Sequence, residues 1–162
     1  MKSVQNTHNS YNFSDLHDSL LTIVGVLNRP QRDELMIEAS QINLDRALFP
    51  LLVHIGRFGP IGVVELADRV GRDYTTVSRQ VKKLEEAGLA RRHKNSIDKR
   101  INEAVITAAG REMNDKIDAA REKIYQKIFL QWEESERLEL ERLLKKFTSE
   151  FTELEAIENI KI

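Results

Sequence analysis

The apolar positions of this chain recur at helical spacing over most of its length. The first set is Phe13, Leu16, Leu20, Ile23 or Val24, and Leu27. Steps of three and four place these side chains on one helix face. Asn12 or Ser14 stands where a cap is needed, and Pro30 lies just past the end. Residues 30–42 are ambiguous, although Pro30 in a first turn can open a short helix through Glu38. A second amphipathic run, with Asn43 as its cap, holds Leu44, Leu48, Leu51 or Leu52, Ile55 and Phe58. Pro50 removes one backbone donor inside that run, which predicts a kink or a late start. Gly59-Pro60 stops it.

Two short helices are predicted next. The first spans Val63 to Val70 and is closed by Gly71. The second runs from about Thr75 to Ala87, with Asp73 as its cap and Gly88 as its left-handed C-terminal residue. Residues 89–94 and 103–107 read as strands joined by the loop Asn95–Asn102. Thr107 can cap a long helix carrying Met113, Ile117, Ala120, Ile124 and Ile128. The phase breaks around Trp132-Glu133-Glu134-Ser135, and a last helix carries Leu140, Leu143 or Leu144, Phe147, Phe151, Leu154 and Ile157. The pattern therefore predicts a mainly α fold with one small β-hairpin.

Composition narrows the class. A chain of 162 residues with 41% apolar and 31% charged side chains can bury a real core. No apolar run approaches the roughly 18 residues that span a bilayer. The N-terminus MKSVQNTHNSYNF has no apolar signal region. There is no cysteine, which removes disulfides, thiolate metal sites and thiol nucleophiles together. A cytoplasmic setting is the resulting expectation. The four histidines (His8, His17, His54, His93) are scattered, and no HExxH, CxxC or Gly-rich phosphate loop occurs. No metal, cofactor or enzymatic activity is expected.

Net charge is −1, but it is unevenly spread. Residues 61–100 hold ten cations and six anions, giving +4, whereas residues 101–162 hold ten and fourteen, giving −4. A basic middle suits a phosphate-rich partner, although a solvated surface gives the same count. The helix Thr75–Ala87 sharpens the picture. With Val77, Val81 and Leu84 turned inward, Thr75, Thr76, Arg79, Lys82 and Lys83 face outward, and Ser78 and Gln80 flank them. Hydroxyl, amide and guanidinium groups are those that bond base edges and phosphates. Ala67 allows the preceding helix to cross closely, and Gly71 makes the turn. At the hairpin tip, Asp98 and Arg100 are two residues apart. In extended backbone they project to one side, so the carboxylate can hold the guanidinium, as suits an arginine aimed at a minor groove.

Together these residues resemble a family. The stretch "ELADRVGRDYTTVSRQVKKLEEAGLARR…DKRINEAVITAAG" is similar to the winged helix-turn-helix core of the MarR (multiple-antibiotic-resistance) regulators. The matching pieces are Glu65-Leu66-Ala67, Thr76-Val77-Ser78-Arg79, Leu84-Glu85-Glu86-Ala87-Gly88-Leu89, Asp98-Lys99-Arg100 and Val105-Ile106-Thr107-Ala108-Ala109-Gly110. The resemblance implies a winged helix-turn-helix over 43–112, flanked by dimerisation helices in 13–42 and 113–162 after a flexible segment 1–12. It implies a homodimer on a pseudo-palindromic duplex, acting as a repressor. Thr75, Thr76, Ser78, Arg79, Gln80, Lys82 and Lys83 would lie on the recognition helix. Lys99 and Arg100 would lie on the wing, with Arg100 in the minor groove and Asp98 orienting it. Relatives bind small aromatic anions in a cleft beside the dimer helices. Tyr11, His54, Arg57 and Trp132 are the candidate lining residues here, and the effector is unspecified.

The residues support the dimer independently. Three apolar stripes at the ends of a short chain need partners; a second copy is the simplest, and packing on each other within one chain is the alternative. Two rival functions remain at this level. A winged-helix module could use its basic face on an acidic protein, which would not need Thr75 and Thr76 beside Arg79. An enzyme site between the long helices has only unclustered histidines and carboxylates behind it.

Overall fold

Leu51, Leu52 and Ile55 occupy one face of a short helix, and the fold is built around burying them. The structure, a computed structural model, describes residues 12–158. Its elements are α1 (Ser14–Leu27), α2 (Pro30–Ala39), α3 (Phe49–Phe58), β1 (Ile61–Gly62), α4 (Val63–Val70), α5 (Tyr74–Glu86), β2 (Ala90–Lys94), β3 (Asn102–Ile106), α6 (Ala108–Ile128) and α7 (Glu134–Glu158). Leu66 of α4, Val77, Val81 and Leu84 of α5, Ala104 of β3 and Ile117 of α6 join the α3 residues out of water's reach. At about 25 cal/mol per Å² of apolar surface, this is the main favourable term for the fold.

The turns that shape the core are written in two glycines. Gly71 and Gly88 have φ of 63° and 72°, a conformation that side chains with a Cβ rarely adopt. After each, the chain closes its helix in the same way. Arg72 N–H donates to the Ala67 carbonyl, and Leu89 N–H to the Leu84 carbonyl. Thr107 caps α6 as expected. Its Oγ1 accepts from Gly110 N–H at 3.1 Å and donates to the Gly88 carbonyl at 2.7 Å. Gly110 itself packs so tightly that a Cβ there would collide with the Leu89 carbonyl.

Three details depart from the sequence reading. Asn43 caps nothing: α3 begins at Phe49, with Pro50 in its first turn. The missing proline N–H belongs to the donors a helix start leaves unpaired, so Pro50 gives a late start rather than a kink. The sheet has a third strand. β1 is only Ile61–Gly62 and pairs antiparallel with β3, giving the order β1-β3-β2. Two residues are too few for alternation to register, so the pattern could not reveal it. At α1, Phe13 occupies the cap position, and Asn12 Oδ1 instead accepts from Ser14 N–H and Oγ.

The described chain falls into two compact units, one ending at Ala120 and the other beginning at Arg121. The first holds the helix-turn-helix and sheet. In the second, Phe129 stacks edge-on against Trp132, with ring centroids 5.1 Å apart. No residue of α1 is buried, and no described side chain of α7 is buried. No helix among the described residues is long and apolar enough to cross a membrane.

Candidate nucleic-acid interface

The helix α5 is set by its first turn. Asp73 lies in extended backbone and accepts from Thr76 N–H at 2.8 Å and from Thr76 Oγ1 at 2.6 Å. These bonds hold the Asp73 carboxyl below its ordinary pKa. Behind that cap, Val77, Val81 and Leu84 point inward, which leaves Thr75, Arg79, Lys82 and Lys83 exposed. Thr76, Ser78 and Gln80 are half-buried on the flanks. Arg79 Nε lies 3.3 Å from the Thr75 carbonyl, and Lys82 is 3.8 Å from Glu86. Both are surface contacts of small energy, so these cations remain available to a partner.

The hairpin tip is ordered by its own side chains. Asn95 Oδ1 accepts from the N–H groups of Ile97 and Asp98, and Asn95 Nδ2 donates to Glu103. Arg100 then donates twice to Asp98, from Nε at 3.0 Å and from Nη2 at 2.9 Å. A two-point contact fixes the guanidinium plane. It lowers the Asp98 pKa and raises that of Arg100. The Arg100 side chain is nonetheless 91% exposed, held in place but facing solvent. Lys99 beside it is also exposed.

Helix and hairpin are tied together. Glu85 near the end of α5 accepts from Arg92 N–H at 2.8 Å and from Arg92 Nε at 2.7 Å. One carboxylate thus binds both the backbone and the side chain of β2. At the other end of α5, Tyr74 and Arg100 border a single groove of about 530 Å³, together with Val64, Ile101 and the acidic Glu65, Asp68 and Glu103. The start of α5 and the hairpin cation therefore address the same space.

The family model described as MarR family matches residues 44–101, from just before α3 to the hairpin tip. The Bacillus subtilis (strain 168) protein YxaD, an uncharacterized HTH-type transcriptional regulator, is 30% identical over 109 residues, covering 67% of this chain and 76% of its own. The chain belongs to the MarR family. It is a transcriptional regulator of the MarR type. A MarR-family regulator from Listeria monocytogenes, solved in complex with a 26mer DNA, is 28% identical with a TM-score of 0.64, covering 82% of this chain and 89% of that one. A MarR family protein from Bacillus stearothermophilus has a TM-score of 0.68 at 19% identity, covering 86% and 94%, which speaks to the fold alone.

Within this MarR-type scaffold, all seven helix positions expected from sequence lie on α5, and Lys99 and Arg100 lie on the hairpin tip. Two of the half-buried flanking residues are engaged by other side chains. Thr76 is committed to the Asp73 cap, and Gln80 Oε1 accepts from Arg72 Nη1 at 3.0 Å. Tyr74 and the Glu85–Arg92 tie were not singled out from sequence. Tyr74 opens the helix one residue before the expected start, and ion-pair partners seven residues apart across a turn leave no periodic signal.

Within the first unit, the proposed ligand-lining residues Arg57 and His54 do not share a cleft. Arg57 borders a cleft of about 170 Å³ with Val53, Arg111, Asn114 and Asp118, and it pairs with Asp118 at 2.8 Å. Asn114 Oδ1 is buried there without a hydrogen-bond partner among the described residues. His54 does not line that cleft; its Nδ1 meets the Pro50 carbonyl at 2.8 Å. Trp132 belongs to the second unit, and Tyr11 lies outside the described residues. Among the described residues no group of three histidine or acidic side chains could hold a metal ion.

Proposed function

We propose that this regulator is a cytoplasmic repressor that binds a pseudo-palindromic DNA duplex as a homodimer and is released by a small-molecule effector. Each subunit lays α5 in a major groove and its hairpin tip in the neighbouring minor groove. The observation that carries the reading is the exposed, cationic face of α5 beside the clamped, exposed Arg100. The start of α5, through Tyr74, and the clamped Arg100 face one space. Arg79, Lys82, Lys83 and Lys99 add exposed positive charge on the same two elements. The 26mer DNA bound by the Listeria monocytogenes regulator supports this choice of partner.

The dimer reading rests on unspent apolar surface. Leu16, Ile23, Val24 and Leu27 of α1 are exposed, and so are Leu143, Leu144, Phe151 and Leu154 of α7. Apolar stripes of this length belong against a partner, and a second copy carries matching ones. An effector acts by favouring one spacing of the two α5 helices over another. The cleft bordered by Arg57, Arg111, Asn114, Asp115 and Asp118 is the place we assign to it.

Fluorescence anisotropy with duplexes recovered from a random pool tests the central claim. Binding is expected to weaken linearly on a log–log plot as salt rises, with a slope that counts the phosphates neutralised. If no duplex binds in a salt-sensitive way at physiological ionic strength, the DNA reading is wrong.

A further inference from the structure

Arg72 sits in the turn between α4 and α5, where the Gly71 closure fixes its backbone through the bond to the Ala67 carbonyl. Its side chain is half-buried and turns back toward the core. There Nη1 donates to two oxygens, the Ala47 carbonyl at 2.6 Å and Gln80 Oε1 at 3.0 Å. The first acceptor is main chain, in the turn that precedes α3, where Ala47 N–H is itself held by Asp45 Oδ1 at 2.8 Å. So Arg72 is tied to backbone at both ends of the residue, its own N–H on the Ala67 carbonyl and its guanidinium on the Ala47 carbonyl. The Asp33 carboxyl on α2 feels its charge as well: burial pushes Asp33 above its ordinary pKa, and Arg72 is the foremost group opposing that rise.

The consequence falls on Gln80. A guanidinium has donors and no acceptor, so the amide atom facing it must be the oxygen. The amide is planar, and with its oxygen held inward the NH₂ group is the polar end left over. Gln80 stands on the flank of α5 beside Arg79 and Lys83. A freely rotating glutamine pairs with adenine by accepting from N6 and donating to N7 at once. A glutamine whose oxygen already accepts from Arg72 has one of its two lone pairs spent and that oxygen turned inward, while both N–H donors stay free. Guanine presents two acceptors, O6 and N7, to such a group, whereas the adenine N6 amino group meets it donor to donor.

We propose that Arg72 is a positioning residue that holds the Gln80 oxygen inward and its donors outward, so that the base pair facing Gln80 is read as guanine in preference to adenine. This rests on the DNA-binding reading above. It concerns how one base pair is chosen rather than whether DNA is bound.

The test is selection from a random duplex pool with the full-length protein and three variants. Gln80→Ala identifies the position, because it should erase preference at one base pair per half-site and leave the others. Wild type should favour guanine over adenine there by about tenfold. Arg72→Ala frees the oxygen and should move that position alone toward adenine. Gln80→Glu keeps the bond to Arg72 but turns an acceptor outward, and should move the position toward cytosine, whose N4 amino group donates. This last variant keeps the test decisive if Arg72→Ala fails to fold. Adenine preference in wild type, no position lost in Gln80→Ala, or retained guanine in Gln80→Glu would each overturn the assignment while the DNA reading stands. A wild type that selects no sequence at all would overturn both.

Discussion

At the scale of single residues, position matters more than type. Arg79 and Arg100 are both exposed arginines, but they are prepared differently. Arg79 rests against its own helix, with Nε 3.3 Å from the Thr75 carbonyl. A base-reading arginine in this setting contributes about 1–3 kcal/mol, so Arg79→Ala should weaken operator binding by that amount and relax base preference, as competition binding on single-base variants would show. Arg100 is instead held by Asp98 in a two-point contact. The Asp98 pKa is lowered chiefly by that contact. A lowered carboxylate pKa stabilises the contact above the ordinary aspartate value of about 3.9, and the stabilisation fades as pH falls through the lowered value. The pair is therefore intact at neutral pH. An NMR titration of the Asp98 carboxyl should show a midpoint below the ordinary value, moving up toward it in Arg100→Ala, which keeps only the backbone N–H bond to Asp98. An unshifted midpoint in wild type would mean that the tip is not clamped in solution.

At the scale of elements, the sequence was legible wherever one residue decides a backbone. Gly71, Gly88, Asp73 and Thr107 each mark a turn or cap by a local necessity, and each stands where the pattern puts it. What escaped was set by distant chain. β1 exists because β3 offers it a free edge, and Asn43 loses its cap role because Pro50 is better used in a first turn. Of the site, the exposed face of α5 and the Asp98–Arg100 pair could be read directly. The engagement of Gln80 by Arg72 could not, because it depends on where the Ala47 turn lies in space. The Glu85–Arg92 tie is the element-level feature with most consequence. Glu85→Ala leaves a guanidinium and a backbone N–H without their acceptor, which should cost about 1–3 kcal/mol in chemical denaturation. The same variant should speed hydrogen exchange at the Arg92 amide. Unchanged exchange there would show that the hairpin is held by the sheet alone.

At the scale of the molecule, the exposed apolar residues of α1 and α7 set the expectation of a dimer. Phe151 is half exposed and stacks with Phe147 at 5.7 Å. Phe151→Asp would place a charge within the stripe, and a buried unpaired charge is strongly disfavoured. Light scattering should report a dimer for wild type and a monomer for the variant. A variant that stays dimeric would move the interface elsewhere. The Glu85 carboxylate then acquires a meaning beyond stability. In the proposed dimer it would tie the helix and hairpin of one subunit into a single stamp, so that an effector would leave what the stamp prints unaltered. What it would alter is the distance between two stamps. Induction should therefore scale down affinity for strong and weak operators by a common factor, leaving their rank order unchanged.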